Sequence, residues 1–353
     1  MDEVLVVAGP AVVADGGLIK EIAEREFAAL GVRGSVVHAC DAAQVAALLR
    51  AGTVVIPGRS AEVRELVGRP ADVVWVDLDR ADGVEAGEGA THLHGRGLAG
   101  VAWGIRHAVH RLRHPGRRRI RYGPHRDQWG ELYLPADADA PVVALLHGGY
   151  WRSIWAADLM EALCADLVGR GLAAWNLEYR RPDLHGWEAT GADVAAGLAA
   201  LGDRGPVAVV GHSAGAQLAL GAAAGGARVW SAVSPAVSLA VSLAGVLDLV
   251  EGDRRWLGSG AVAAALGAPS ADIQRYAAAS PLLQIPLGVR QLIVQGTGDD
   301  LDLVDFGRRY ARAALEAGDE VTYLDLPGDH FDVITPASPI WQATAAAIAA
   351  ALT

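Results

Sequence analysis

Val207-Ala208-Val209-Val210-Gly211-His212-Ser213-Ala214-Gly215, with Pro206 before it and an alanine- and leucine-rich run over residues 216–224 behind it, is the stretch on which the fold turns. The valine-rich segment reads as a buried strand and the small, helix-forming residues after it as a helix. Between them stands G-x-S-x-G, which matches a nucleophile elbow: a turn so sharp that only glycine fits on either side of the serine, whose hydroxyl is then presented above a sheet. The bare motif is common by chance. The strand before it and the helix after it are the context that gives it meaning.

Serine is a weak nucleophile until a base takes its proton, and that base needs an acid to hold it in the right tautomer. In this kind of fold the acid follows the serine and the histidine comes last. After Ser213, the strand-like Gln291-Leu292-Ile293-Val294 empties into Gln295-Gly296-Thr297-Gly298-Asp299-Asp300, which puts Asp299 in the acid's place. Asp300 and Asp302 remain open as substitutes, because side-chain direction in a loop is not legible. A further strand, Val321-Thr322-Tyr323-Leu324, leads to Gly328-Asp329-His330-Phe331, and His330 is the one histidine after Ser213. It is therefore the expected base.

Acyl transfer also needs N–H donors aimed at the developing oxyanion. Residues 142–146 read as a strand ending in His147-Gly148-Gly149-Tyr150-Trp151, whose small residues let backbone amides face a substrate. The expected donors are the amides of Gly149, Tyr150 and Ala214.

With these residues in hand, the second part of the chain resembles kynurenine formamidases (arylformamidases) and related bacterial α/β-hydrolases. His147-Gly148-Gly149-Tyr150-Trp151 looks like their HGGxW signature, and Asn176-Leu177-Glu178-Tyr179-Arg180-Arg181 and Gly328-Asp329-His330-Phe331 are similar to other segments of theirs. The resemblance covers nearly all of residues 123–353. It implies hydrolysis of an N-formyl aryl amine or an ester through a formyl- or acyl-serine. Asp302-Leu303 stands where those proteins often have valine-proline. Trp151, Trp155, Trp187 and Trp256 fall in or near loops where they could wall an aryl pocket or pack the core. Trp151 and Glu178 are the expected substrate-binding residues, with a salt-bridged structural role as the alternative for Glu178.

Short β-rich runs alternate with alanine- and leucine-rich stretches from end to end, the pattern of α/β units with parallel sheets. Strands are expected over residues 4–7, 36–37, 54–56 and 73–76, with helices over 18–30, 42–49 and 101–112, closing a first domain at residue 114. Residues 115–122, opening on Pro115 and carrying an arginine run, read as a solvated linker, and a second domain follows over 123–353. Its strands are expected over 132–134, 142–146, 173–177, 207–210, 292–294 and 321–324, with a helix at 345–352. The predicted architecture is a flavodoxin-like parallel-sheet domain followed by an α/β-hydrolase domain.

The first domain resembles type II 3-dehydroquinate dehydratases in Gly9-Pro10 after the first strand and in His94-Gly95-Arg96-Gly97-Leu98-Ala99-Gly100. That family carries asparagines beside the Gly-Pro pair and a tyrosine base. This chain has Ala8 and Ala11 there, and its first 114 residues contain no asparagine or tyrosine. The resemblance thus implies a non-catalytic module, with association into a homo-oligomer as its expected use. Gly95-Arg96-Gly97-Leu98-Ala99-Gly100 also matches a dinucleotide fingerprint, but no acidic residue lies about 20 positions on, where such a site needs one.

A formal charge of −11, from 41 acidic and 30 basic side chains, disfavours nucleic acid and anionic lipid as partners. Cys40 and Cys164 offer no disulfide framework and read as buried thiols. Histidines 92, 94, 107 and 110 read as capping or covering helices, and the spacing of Cys and His gives no metal site and no cofactor. The longest apolar region, residues 236–250, is broken by Ser238, Ser242 and Asp248 and is too short to span a bilayer. The start of the chain lacks the basic opening and apolar run of a signal peptide, so a cytoplasmic location is expected.

Overall fold

The computed structural model describes residues 2–205, 207–224 and 237–352. Pro206 and Ala236, which open the elbow strand and the long apolar region in the sequence, lie outside the described residues. The chain divides into two compact units, residues 1–115 and 116–353.

The first unit has strands β1 (Glu3–Ala11), β2 (Arg33–His38), β3 (Thr53–Gly58), β4 (Val73–Asp77) and β5 (Thr91–His94). They pair in the order β2-β1-β3-β4-β5, and every pairing is parallel. This is the strand order of flavodoxin-like folds. Both faces of a parallel sheet are covered, so its central strands are apolar throughout rather than alternating. Val4 and Val6 pack with Ile19 and Phe27 of helix Gly16–Leu30 and Val101 and Ile105 of helix Ala99–Arg113, while Leu5 and Val7 pack with Val45 and Val63. Asp15 caps the first of these helices by accepting from the Leu18 amide at 2.7 Å, and Gly31 ends it in the left-handed region at φ 63°.

The second unit has strands β6 (Arg118–Arg121), β7 (Trp129–Tyr133), β8 (Val142–Leu146), β9 (Ala173–Leu177), β10 (Val207–His212), β11 (Val237–Leu243), β12 (Arg290–Gly296) and β13 (Val321–Leu326). Their order is β13-β12-β11-β10-β8-β9-β7-β6, parallel except where β7 meets β9 and β6. All residues of β8, β9 and β10 are buried. The helix Leu301–Glu316 shows how the layers fit: Leu303, Phe306, Gly307, Tyr310, Ala311 and Ala314 recur every three or four residues and form its buried face.

Two expectations, on the linker and on Cys40, are corrected. Residues 118–121 are not a solvated linker but strand β6. Arg119 donates to Glu131 at 2.8 Å and lies 3.7 Å over the Trp129 ring, and Arg117 reaches the same carboxylate at 3.3 Å. Two arginines of the run thus neutralise one buried glutamate. Residues 237–243 of the long apolar region form β11, a strand not assigned from the sequence; in it Ser238 donates to the Val207 carbonyl at 3.0 Å and Ser242 is buried. Cys40 is exposed, whereas Cys164 is buried. Among the described residues no helix is long and apolar enough to cross a membrane.

Candidate active site

Strand β10 delivers Ser213 at φ 54°, ψ −118°, and the helix Ala214–Ala223 begins at the next residue. A non-glycine residue in this region is strained by about 1–3 kcal/mol, and such strain survives only where surrounding contacts fix it. Here the Ser213 amide donates to the Leu243 carbonyl at 2.8 Å, and its carbonyl accepts from Val246 at 3.2 Å. The flanking glycines are required by space. A Cβ on Gly211 would lie under 3.0 Å from the Gly215 backbone, and one on Gly215 under 3.0 Å from the carbonyls of Leu146 and His147. As the first helical residue, Ala214 has an amide with no acceptor inside its own helix.

The acid and base meet at the ends of β12 and β13. His330 Nδ1 lies 3.0 Å from Asp299 Oδ2, and the Asp299 side chain is only 2% exposed. The same carboxylate accepts from Gln295 Nε2 at 2.9 Å and from the Asp300 amide at 2.7 Å, so both of its remaining partners are neutral. The alternatives are engaged elsewhere. Asp300 accepts from the Asp302 amide at the start of helix Leu301–Glu316, and Asp302 accepts from Arg255 at 2.8 Å. No hydrogen bond among the described residues joins the Ser213 hydroxyl to His330, whose Nε2 is the ring nitrogen left for it. Bonds of this kind commonly tighten when substrate binds.

Sequence reasoning missed His212. Its Nε2 donates to the His330 carbonyl at 2.9 Å, and the two rings stand 4.7 Å apart. Burial first, then the neighbouring His330, holds its imidazole well below the usual range, so it is neutral. His212 is thereby a positioning residue for the turn that carries His330. Its place in the elbow, beside the serine, was the available signal.

The loop after β8 holds three successive residues in the left-handed region: Gly149 at φ 110°, Tyr150 at 52° and Trp151 at 56°. It is pressed against the nucleophile, since a Cβ on Gly148 would come within 2.7 Å of the His212 carbonyl and 2.9 Å of Ser213 Cβ. His147 anchors it: Nδ1 lies 2.8 Å from the Gly148 carbonyl, Nε2 3.2 Å from Glu178 Oε1, and the ring stacks on Tyr179 at 4.5 Å.

Glu178 is buried and fully engaged. It accepts from the amides of Ala157 and Tyr179, each at 3.0 Å, and pairs with Arg181. Burial raises its pKa, but the charges of Arg181 and His147 outweigh it and hold the carboxyl down at about 2. Trp151 is likewise a core residue, donating to Gln217 Oε1 at 3.1 Å and meeting Trp187 edge-on. Both residues thus sit behind the loop with their polar atoms engaged inside the protein, which for Glu178 is the salt-bridged arrangement that the sequence offered as the alternative to substrate binding.

A cavity of about 540 Å³ opens in front of the acid–base pair, lined by Tyr150, Asp299, Asp300, Leu303, Asp329, His330 and Phe331 among others. Among the described residues no arginine or lysine lines it. Burial and the nearby Asp300 and Asp299 raise the Tyr150 phenol, which stays protonated.

In the first unit, the ends of β4 and β5 bring Asp77 against Arg64, which binds it through both terminal nitrogens, and against His92 Nε2 at 2.8 Å. His94 stacks on His92 at 5.2 Å and accepts from the Ala81 amide at 3.2 Å, and His107 meets Thr91 Oγ1 at 2.9 Å. These histidines join strands and loops; His92 and His94 do not cap helices. The glycine segment spends its amides on its own chain: Gly95 donates to the Asp77 and Asp79 carbonyls and Gly97 to Leu78, so neither is left to cradle a phosphate.

Residues 131–306 match the family model described as BD-FAE. No curated protein matches the sequence. Among solved structures, esterase B from Lactobacillus rhamnosis is similar at 18% identity and a TM-score of 0.58, covering 71% of this chain and 92% of that one. A carbohydrate esterase from gut microbiota aligns at 16% identity and 0.57, covering 66% and 94%. A thermophilic esterase from Thermogutta terrifontis aligns at 23% and 0.52, covering 67% and 91%. With the strand order, the elbow and these likenesses together, the fold of the second unit is that of the α/β-hydrolases.

Proposed function

We propose that this chain is a serine hydrolase that cleaves a small aromatic ester or an aryl formamide through an acyl-serine. The observation that carries the reading is the Asp299–His330 pair at a cavity whose neighbouring strand end holds Ser213 in a strained elbow. In the reaction, His330 Nε2 takes the Ser213 proton as Oγ attacks the carbonyl carbon. Asp299 keeps the proton on Nδ1 and stabilises the imidazolium that forms. The amides of Gly149, Tyr150 and Ala214 receive the oxyanion, each contributing on the order of 3 kcal/mol. His330 then gives its proton to the departing alcohol or amine, and water releases the acid by the reverse sequence.

The ester is the favoured substrate of the two. Among the described residues the cavity lining holds carboxylates and no arginine or lysine to receive a substrate carboxylate such as that of N-formylkynurenine. The names of the similar structures, which are esterases, point the same way. The first unit we read as a non-catalytic module used for self-association.

The test is a panel of aryl acetates, feruloyl esters and N-formylkynurenine, run on the full chain and on Ser213→Ala, with fluorophosphonate labelling alongside. Hydrolysis and labelling lost together in the variant support the reading. Equal rates in both proteins remove it, and turnover of formylkynurenine above the esters reverses the ranking. Conversion of 3-dehydroquinate by the chain would overturn the reading of the first unit.

A further inference from the structure

The second unit contains five histidines. Two belong to the site above, His212 and His330, and His147 anchors its loop. The remaining two, His125 and His185, are 60 positions apart in sequence yet their rings meet edge-on at 4.7 Å. Asp127 completes the group: one ligand atom from each of the three lies within 4.8 Å of the others, and all three residues are partly exposed.

The surroundings fix these side chains in place. His125 and Asp127 sit in the turn between β6 and β7. There the His125 amide donates to Gln128 Oε1 at 2.9 Å, and Gln128 Nε2 donates to the buried Asp193 at 2.6 Å. Asp127 Oδ2 accepts from Arg181 at 3.1 Å, the kind of outer contact that orients a ligating carboxylate. His185 ends the short helix Pro182–His185 and is held by its amide's bond to the Arg181 carbonyl at 3.1 Å. Arg181 also pairs with Glu178, and Arg180 with Asp193, while the exposed Arg126 stands 3.7 Å from Asp127 Oδ1. An ion held through His125 Nδ1 would replace the 3.2 Å contact that atom receives from the Asp127 amide.

From this arrangement we propose that His125, Asp127 and His185 bind one divalent first-row transition ion of the zinc, cobalt or nickel type. Two imidazoles and a carboxylate suit these ions, whereas calcium and magnesium prefer all-oxygen sets. Ligand bonds of about 2.0–2.1 Å would place tetrahedral neighbours about 3.3 Å apart, a contraction that side-chain rotation supplies. Three protein ligands leave a fourth position for water, and the bound ion would tie the β6–β7 turn to the helix before Gly186.

The experiment titrates the metal-free full chain with Co2+, following visible ligand-field absorption, and with Zn2+ by calorimetry and thermal melting. One ion per chain is expected, with a melting temperature that rises with Zn2+ concentration. His185→Ala and His125→Ala should each weaken binding at least about tenfold. His330→Ala should leave the stoichiometry unchanged, which separates this site from the catalytic histidine. His185→Gln serves if His185→Ala unfolds, with circular dichroism as the check. Absence of uptake by the folded chain, unchanged uptake in the His125→Ala/His185→Ala double variant, or loss of uptake in His330→Ala overturns the proposal.

Discussion

Each unit sets a histidine against a buried aspartate at the carboxyl ends of its parallel strands, His92 with Asp77 and His330 with Asp299, at 2.8 and 3.0 Å. The difference lies in the aspartate's other partners. Asp77 is clamped by the Arg64 guanidinium, so its negative charge is already matched. Asp299 accepts only from an amide side chain and a backbone N–H, which orient the carboxylate without neutralising it. An unneutralised carboxylate can stabilise an imidazolium; a clamped one holds strands together. A short His–Asp distance alone therefore says little about chemistry.

The sharpest way to break that contrast is at the serine. Ser213→Ala or His330→Ala should lower kcat/KM on an aryl acetate by about four orders of magnitude or more, with the fold retained by circular dichroism. Asp299→Asn should cost about three to four orders, because the amide favours the wrong imidazole tautomer. Asp77→Asn, the matching change in the first unit, should leave hydrolysis unaltered and lower only thermal stability. If the two substitutions reduced activity equally, the distinction drawn from their partners would fail.

Behind the site, Glu178→Gln should destabilise by about 3 kcal/mol in denaturant melts, since it removes the more deeply buried of the two carboxylates that pair with Arg181. The same residue sets an acid limb. Its folded pKa of about 2 lies below the 4.5 of a free glutamate, so its contribution is present above pH 4.5 and is lost as pH falls toward 2. Thermal melts across that window should be flatter in the glutamine variant.

The smallest effect belongs to His94. Burial and the stacked His92 hold it at about 4, against 6.5 for a free imidazole. The unfolded chain binds more protons between these values, so stability should fall as pH drops from about 6.5 to 4. His94→Asn should reduce that slope without touching hydrolysis.

Much of this was legible before any coordinates. The elbow declared itself because its glycines answer to a local steric demand, and β8, β9, β10 and β12 because central parallel strands are apolar throughout. Position 330 followed by elimination. What stayed hidden depended on partners distant in sequence. The arginines of β6 look like a linker until Glu131 and Trp129 stand beside them. The choice among Asp299, Asp300 and Asp302 needs the imidazole to be in place. Trp151 and Glu178 carry the right chemistry for a pocket, yet Gln217, Ala157 and Arg181 occupy their polar atoms from behind. The pairing of His125 with His185 has no spacing signature at all.

Strand β6 closes one margin of the eight-stranded sheet with Arg118, Arg119 and Arg121 in four positions. Were a second copy to add its own β6 alongside, two rows of guanidinium groups would face each other at strand-to-strand spacing. Like-charge repulsion therefore blocks growth of a continuous intermolecular sheet from this side.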